Sequence, residues 1–210
     1  MNIMQQLKER TRGHHDNAEG QEFQRQLASG ELPKPLYVKY LGQLFLIHGS
    51  LEKKLLEAQS TTTPEIAKIL TPEQLQVPYL EKDLTFFGVD TKNIQPVSAT
   101  KALIEKIDIT AKACPLALLG YHYVLLGSKH GGKFIAHNLN EKYALNGDGI
   151  CYFDPYGQSF QPLWKEFASQ FNEVPITEAQ ELAAIDAASV MFEEIANLSE
   201  ETLKLAAVHQ

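Results

Sequence analysis

The chain has 210 residues, 44% hydrophobic and 21% charged, with a formal net charge of −7. This length suits one domain over residues 1–210, the composition is too apolar for a disordered chain, and an acidic balance without a dense Lys/Arg block argues against a nucleic-acid partner. No run approaches the ~20 apolar residues that cross a bilayer and the N-terminus lacks the apolar core of a secretion signal, so a cytoplasmic protein without membrane insertion is expected, with Cys114 and Cys151 as reduced, partly buried thiols.

Lys8, Arg12, His15 and Glu19 recur at steps of four, three and four, so in a helix they share one face. Such a face could hold a molecule carrying a metal and two carboxylates. His15 would ligate the metal, Lys8 and Arg12 would meet the acidic arms, and Glu19 would orient His15 or a neighbouring residue, since ligating histidines hand their second N–H to an acceptor. Haem has that shape and charge. By spacing alone the same stripe also fits a solvated helix face.

Next in order, Tyr37, Tyr40, Leu41, Leu44, His48, Leu51 and Leu55 follow a helical period from Leu36 to Leu55, with Pro35 just inside the start. Thr71-Pro72-Glu73-Gln74 and Thr177-Glu178-Ala179-Gln180 both have the capping-box arrangement that starts a helix. Ser98 to Ala113 and Leu116 to Leu126 read as helices parted by Cys114-Pro115. Each interior glycine costs a helix roughly 1 kcal/mol against alanine, so Gly127, Gly131 and Gly132 imply a bend or a close approach by another group. Turn chemistry marks Leu145 to Gln161 as a loop with a buried aromatic anchor or two. Beyond Thr177 a stripe of Ile185, Ala188, Phe192, Ile195 and Leu198 predicts a long final helix. The fold class is therefore all-α, a bundle of about seven to nine helices.

Three segments together resemble the haem oxygenase family. Leu7 to Glu19 is similar to the family's proximal helix, in which a threonine precedes the iron-ligating histidine by four residues and an Ala-Glu pair follows; that register selects His15 over His14. Tyr79 to Gly88 resembles a segment with a leucine-acid-x-aspartate-leucine core. Tyr121 to Lys133 resembles the distal helix, whose Leu-Gly-x-x-x-Gly-Gly element stands here as Leu126 to Gly132. The resemblance runs from about Leu7 through the final helix.

It implies a single-domain multi-helix bundle with haem between the first helix and a kinked, glycine-rich distal helix. The implied activity is oxidative opening of haem b to biliverdin with release of iron and carbon monoxide, using dioxygen and electrons from a reductase or ferredoxin. His15 is then the iron ligand, Lys8, Arg12 and Lys165 hold propionates, Glu19 supports His15, and Tyr121 and Phe192 contact the haem. Gly127, Ser128, Gly131 and Gly132 form the catalytic distal wall. The best-known members carry an aspartate where this chain has Ser128; its role is to organise waters that deliver protons, and some bacterial members resemble this chain in having Gly-Ser there. His130 also departs from the family's small residue, which keeps open a haem-binding protein without catalysis in which His130 closes the sixth position. An unrelated activity on the same superfold, thiaminase-like or di-iron, is a further alternative. A metal site from His122, His130 and His137 would need closer spacing than two helical turns.

Overall fold

The structure, a computed structural model, describes residues 1–207, with side chains described through Lys204. Two short helices open the chain, α1 (Ile3–Arg10) and α2 (Arg12–Glu19). Asn2 caps α1 reciprocally with Gln5. At the joint Thr11 is buried and donates its hydroxyl to Leu7 O at 2.7 Å, a back-bond that bends the axis. Thr11 N and His15 N still donate to carbonyls four residues back, so the Lys8–Glu19 stripe continues across the bend.

Helix α3 (Glu22–Ser29) stops at Gly30, whose φ of 76° puts it in the left-handed region that suits glycine. The 28-residue α4 (Lys34–Thr61) carries Pro35 in its first turn and buries the expected apolar positions. A single turn, α5 (Ile66–Ile69), precedes α6 (Val77–Phe86). Between them the helix start expected at Thr71 is only a 3-10 turn, Pro72–Gln74. The reason is that Gln74 makes no cap: its side chain turns inward, donating to Ile69 O and meeting His122. Helix α7 (Ser98–Ala113) and α8 (Leu118–Gly127) are parted by the turn Pro115–Ala117, as the Cys114-Pro115 pair predicted. Then come α9 (Lys129–Tyr143), α10 (Phe160–Glu173) and α11 (Glu178–Ala207). The Thr177–Gln180 box does form at the start of α11, with Gln180 N donating to Thr177 Oγ1 and Thr177 N to Gln180 Oε1.

Eleven helices among the described residues exceed the seven to nine expected, because α5 adds a single turn and two stretches read as one helix are split, at Thr11 and at Ser128. Helix α11 lies along α7 and α8 and also meets α1, α2 and α3, while α4 packs on α6, α7 and α8. Fully buried Tyr37, Leu41, Leu51, Phe167 and Met191 fill the space between these layers, each contributing roughly 1.5–3 kcal/mol of apolar burial. The connection from Ala144 to Tyr156 is irregular, and Tyr152 and Phe153 anchor it in the core. Its backbone needs polar partners once buried. The Asp83 carboxylate supplies them by accepting from Cys151 N and Tyr152 N, each at 2.8 Å, and the Tyr37 hydroxyl donates to Gly149 O at 2.7 Å. Both cysteines are free and partly buried. No described helix is long and apolar enough to cross a membrane.

Candidate haem site

On α2 the neighbouring histidines diverge. His14 turns to Glu193 of α11 at 3.3 Å. His15, with 47% of its side chain exposed, lies edge-on against Phe192 of α11 with ring centroids 5.5 Å apart. Its Nε2 is 3.3 Å from Glu19 Oε1 and its Nδ1 3.4 Å from Asp16 Oδ1. Glu19 thus stands where the sequence placed it, and Asp16 is a second acceptor that spacing did not single out. A metal on one ring nitrogen would leave the other N–H a carboxylate partner. Lys8 and Arg12 are exposed on the same stretch, and Lys165 is exposed on α10, which packs on α1. Tyr121 goes elsewhere: it is 1% exposed and its hydroxyl sits 3.1 Å from Thr110 Oγ1, facing α7.

The second face of interest is the break between α8 and α9. Ser128, exposed, donates its hydroxyl to Leu125 O at 2.7 Å. The three glycines have three different neighbours. A Cβ on Gly132 would lie 2.0 Å from Phe153 O, so its missing side chain admits the protein's own loop backbone. A Cβ on Gly127 would touch the Trp164 ring at 3.4 Å, and one on Gly131 would meet nothing within 4 Å. Only Gly131 therefore leaves bare helix backbone open to an approaching ring. His130 is tethered: its Nδ1 is 2.8 Å from Gly127 O and its ring is edge-on to Phe160 and Trp164, at centroid distances of 4.8 and 4.9 Å. His122 is buried with Nε2 2.9 Å from Gln74 Oε1, and burial pushes its pKa down to about 3; with His137 exposed on α9, the three histidines do not converge.

Behind the break lies a buried polar cluster that periodicity hid. Lys129, 5% exposed, donates to Tyr152 O at 2.8 Å and places its Nζ 3.1 Å from the Tyr152 ring centroid. Burial drives its pKa well below the usual lysine value, against the pull of Asp83 and Glu52. His48 has Nε2 3.1 Å from the Tyr152 hydroxyl and Nδ1 3.3 Å from Glu52 Oε1. Burial also lowers the His48 pKa, so the imidazole is held neutral. On the sequence His48 passed as one more position of an apolar helix face. The clue was Glu52 one turn later, a carboxylate on the same buried stripe.

These residues fit haem. An imidazole on an exposed face has carboxylates for its second N–H, cations stand one and two turns before it, and the break after α8 offers helix backbone bare of side chains at Gly131.

Comparison with known proteins agrees. The model of the family described as "Heme oxygenase" matches residues 1–201. "Heme oxygenase 1" of Synechocystis sp. is 24% identical over 196 residues, covering 91% of this chain and 81% of that protein. "Heme oxygenase" of Takifugu rubripes is 28% identical over 197 residues, covering 91% and 70%. The crystal structure of heme oxygenase-1 from the same cyanobacterium in complex with heme superposes with a TM-score of 0.88 at 22% identity, covering 100% of this chain and 97% of that one. The superposition fixes the fold, and the match over nearly the whole length fixes the kinship: this chain belongs to the haem oxygenase family.

Proposed function

We propose that the protein is a haem oxygenase that opens haem b to biliverdin with release of iron and carbon monoxide, haem being both substrate and cofactor. The observation that carries this reading is His15, exposed on α2, backed by Phe192 and flanked by two carboxylates. Bound haem would supply the ring to be cut and the iron that activates dioxygen, with electrons from a separate reductase or ferredoxin. His15 binds as a neutral imidazole whose second N–H is taken by Glu19 or Asp16. Lys8, Arg12 and Lys165 anchor the propionates by charge-assisted hydrogen bonds and so orient the ring. Phe192 closes one wall, Gly131 lets the opposite helix approach, Gly127 seats the Trp164 ring behind it, and Ser128 presents its hydroxyl oxygen there. Gly132 keeps that helix seated on the Phe153 backbone. Tyr121, committed to Thr110, takes no part. Two free thiols accord with a cytoplasmic setting.

Closure of the sixth position by His130 would require its ring to leave Gly127 O and the Phe160–Trp164 notch, so the geometry gives the non-catalytic carrier no support. Hemin titration is expected to give a Soret shift that His15→Ala abolishes or displaces, and reductant with oxygen should convert that band into a bilin spectrum. A chain that gives no Soret shift, or a His15→Ala variant that binds and turns over haem unchanged, would sink the assignment.

A further inference from the structure

We propose that Phe134 is a specificity-determining residue for the haem-opening reaction, packing against the propionate-free edge of the ring and so fixing which meso bridge is presented for cleavage. This rests on the function proposed above and deepens it.

Phe134 is 63% exposed on α9. A single exposed apolar side chain is common on protein surfaces and by itself means little. What singles out Phe134 is its place on the helix. At roughly 100° per residue, Gly131, Phe134, Ile135 and Asn138 share one side of α9. Gly131 is the glycine of the break whose missing side chain leaves backbone open, since a Cβ there meets nothing within 4 Å. Two turns on, Asn138 is stitched to α3: its Nδ2 donates to Ala28 O at 2.7 Å, and a Cβ on Gly30 would lie 2.8 Å from Asn138 O. Phe134 therefore stands between the bare backbone and the seam, about one turn from each.

The same landmarks give a direction. The opposite side of the cleft presents Lys8 on α1, then Arg12 and His15 on α2, then Ala28 at the end of α3. Along α9, Gly131 comes first and the seam with Ala28 second, so passing from Gly131 to Phe134 leads away from Lys8 and Arg12. Lys165 belongs to their end as well, because α10 packs on α1. A haem held by His15, with its face on Gly131 and its propionates on these cations, extends toward Phe134 with the edge that carries only methyl and vinyl groups. Charge-assisted bonds hold the propionate end but do not by themselves fix how far the ring turns in its own plane. An apolar post at the far edge does, and a phenyl offers a conjugated ring edge-to-face or offset contact there.

The test uses hemin-loaded wild type, Phe134→Ala, Phe134→Leu and a control, Ile109→Ala, which is 65% exposed on α7. Proton NMR of the cyanide-bound ferric form reads the seating of the ring from its haem methyl signals, and chromatography reads the biliverdin isomer. Wild type should show one dominant set of signals and one dominant isomer. Phe134→Ala should add a second set and a second isomer, each at about a tenth of the total or more, and raise the hemin dissociation constant about three- to tenfold. Phe134→Leu should fall between, and Ile109→Ala should match wild type. Deuterohaem, in which hydrogens replace the vinyl groups, identifies the edge: Phe134→Ala should weaken its binding less than that of haem b. Substitution at so exposed a position leaves the fold intact. Methyl signals and isomer unchanged in Phe134→Ala overturn the proposal, as does a wild type already divided between two seatings, or an equal loss of affinity for deuterohaem. A wild type that binds no hemin, or a His15→Ala variant that binds and turns it over unchanged, defeats the proposed function instead.

Discussion

The two walls of the candidate site are built in opposite ways. The α2 wall is local: Lys8, Arg12, His15, Asp16 and Glu19 come from twelve consecutive residues and are exposed. The wall at the α8–α9 break is assembled from five parts of the chain. Lys129 and Gly132 come from the first turn of α9, His48 and Glu52 from α4, Asp83 from α6, Gln74 from the turn before it, and Tyr152 and Phe153 from the irregular connection. The first can change without the fold noticing, whereas the second is also part of what holds the molecule together.

Substitutions should separate the two walls by their effect on stability. The largest effect is expected for Gly132→Ala, whose Cβ would collide with backbone at 2.0 Å rather than with a movable side chain. A loss of about 3 kcal/mol or more in denaturant unfolding is predicted; a mild effect would mean that the connection shifts freely. Asp83→Ala comes next, because it strands the N–H groups of Cys151 and Tyr152, at a cost of about 2–3 kcal/mol in the same measurement. Third is acid sensitivity. His122 titrates near 6.5 when unfolded and at about 3 when folded, so the unfolded chain binds the extra proton between those values. Stability is full above pH 6.5 and falls as pH drops toward 3, by about 2 kcal/mol between pH 6.5 and 5 from this group. Unfolding curves of His122→Gln should show a shallower pH slope over that range.

The smallest stability effect belongs to the other wall. His15→Ala removes a half-exposed ring whose ion-pair partners are themselves mostly solvated, so unfolding free energy should stay within about 0.5 kcal/mol of wild type while hemin binding is lost or altered. Gly131→Ala falls between the walls. With open space around its Cβ it should leave stability level or raise it by up to about 1 kcal/mol, and weaken hemin binding if the ring approaches there.

The same contrast explains what the sequence could reveal. Helical period and capping placed α4, α7 and α11, because those signals act within a few residues. The Thr71 box misled because Gln74 found better partners in Ile69 O and His122, forty-eight residues away. The stripe ending at Glu19 was readable since one helix carries all of it. Glycine cost flagged the α8–α9 break but could not say that Gly132 serves Phe153 while Gly131 serves open space. Lys129 gave no signal as a polar partner, since Tyr152, which satisfies it, is more than twenty positions distant, and His48 had only Glu52, one turn on, to mark it as more than an apolar-face position.

The way Gly132, Lys129 and Asp83 clamp the connection also bears on how a large flat molecule gets in and out. The distal helix is bolted to its backstop, and that backstop to α6, so this side of the cleft has little freedom to swing. The α1–α2 arm also packs on α11, but near His15 its polar and aromatic ties to that helix are one half-solvated ion pair and one aromatic edge. Amide hydrogen exchange should be fastest in α2 and slowest across Asp83, Tyr152 and Lys129.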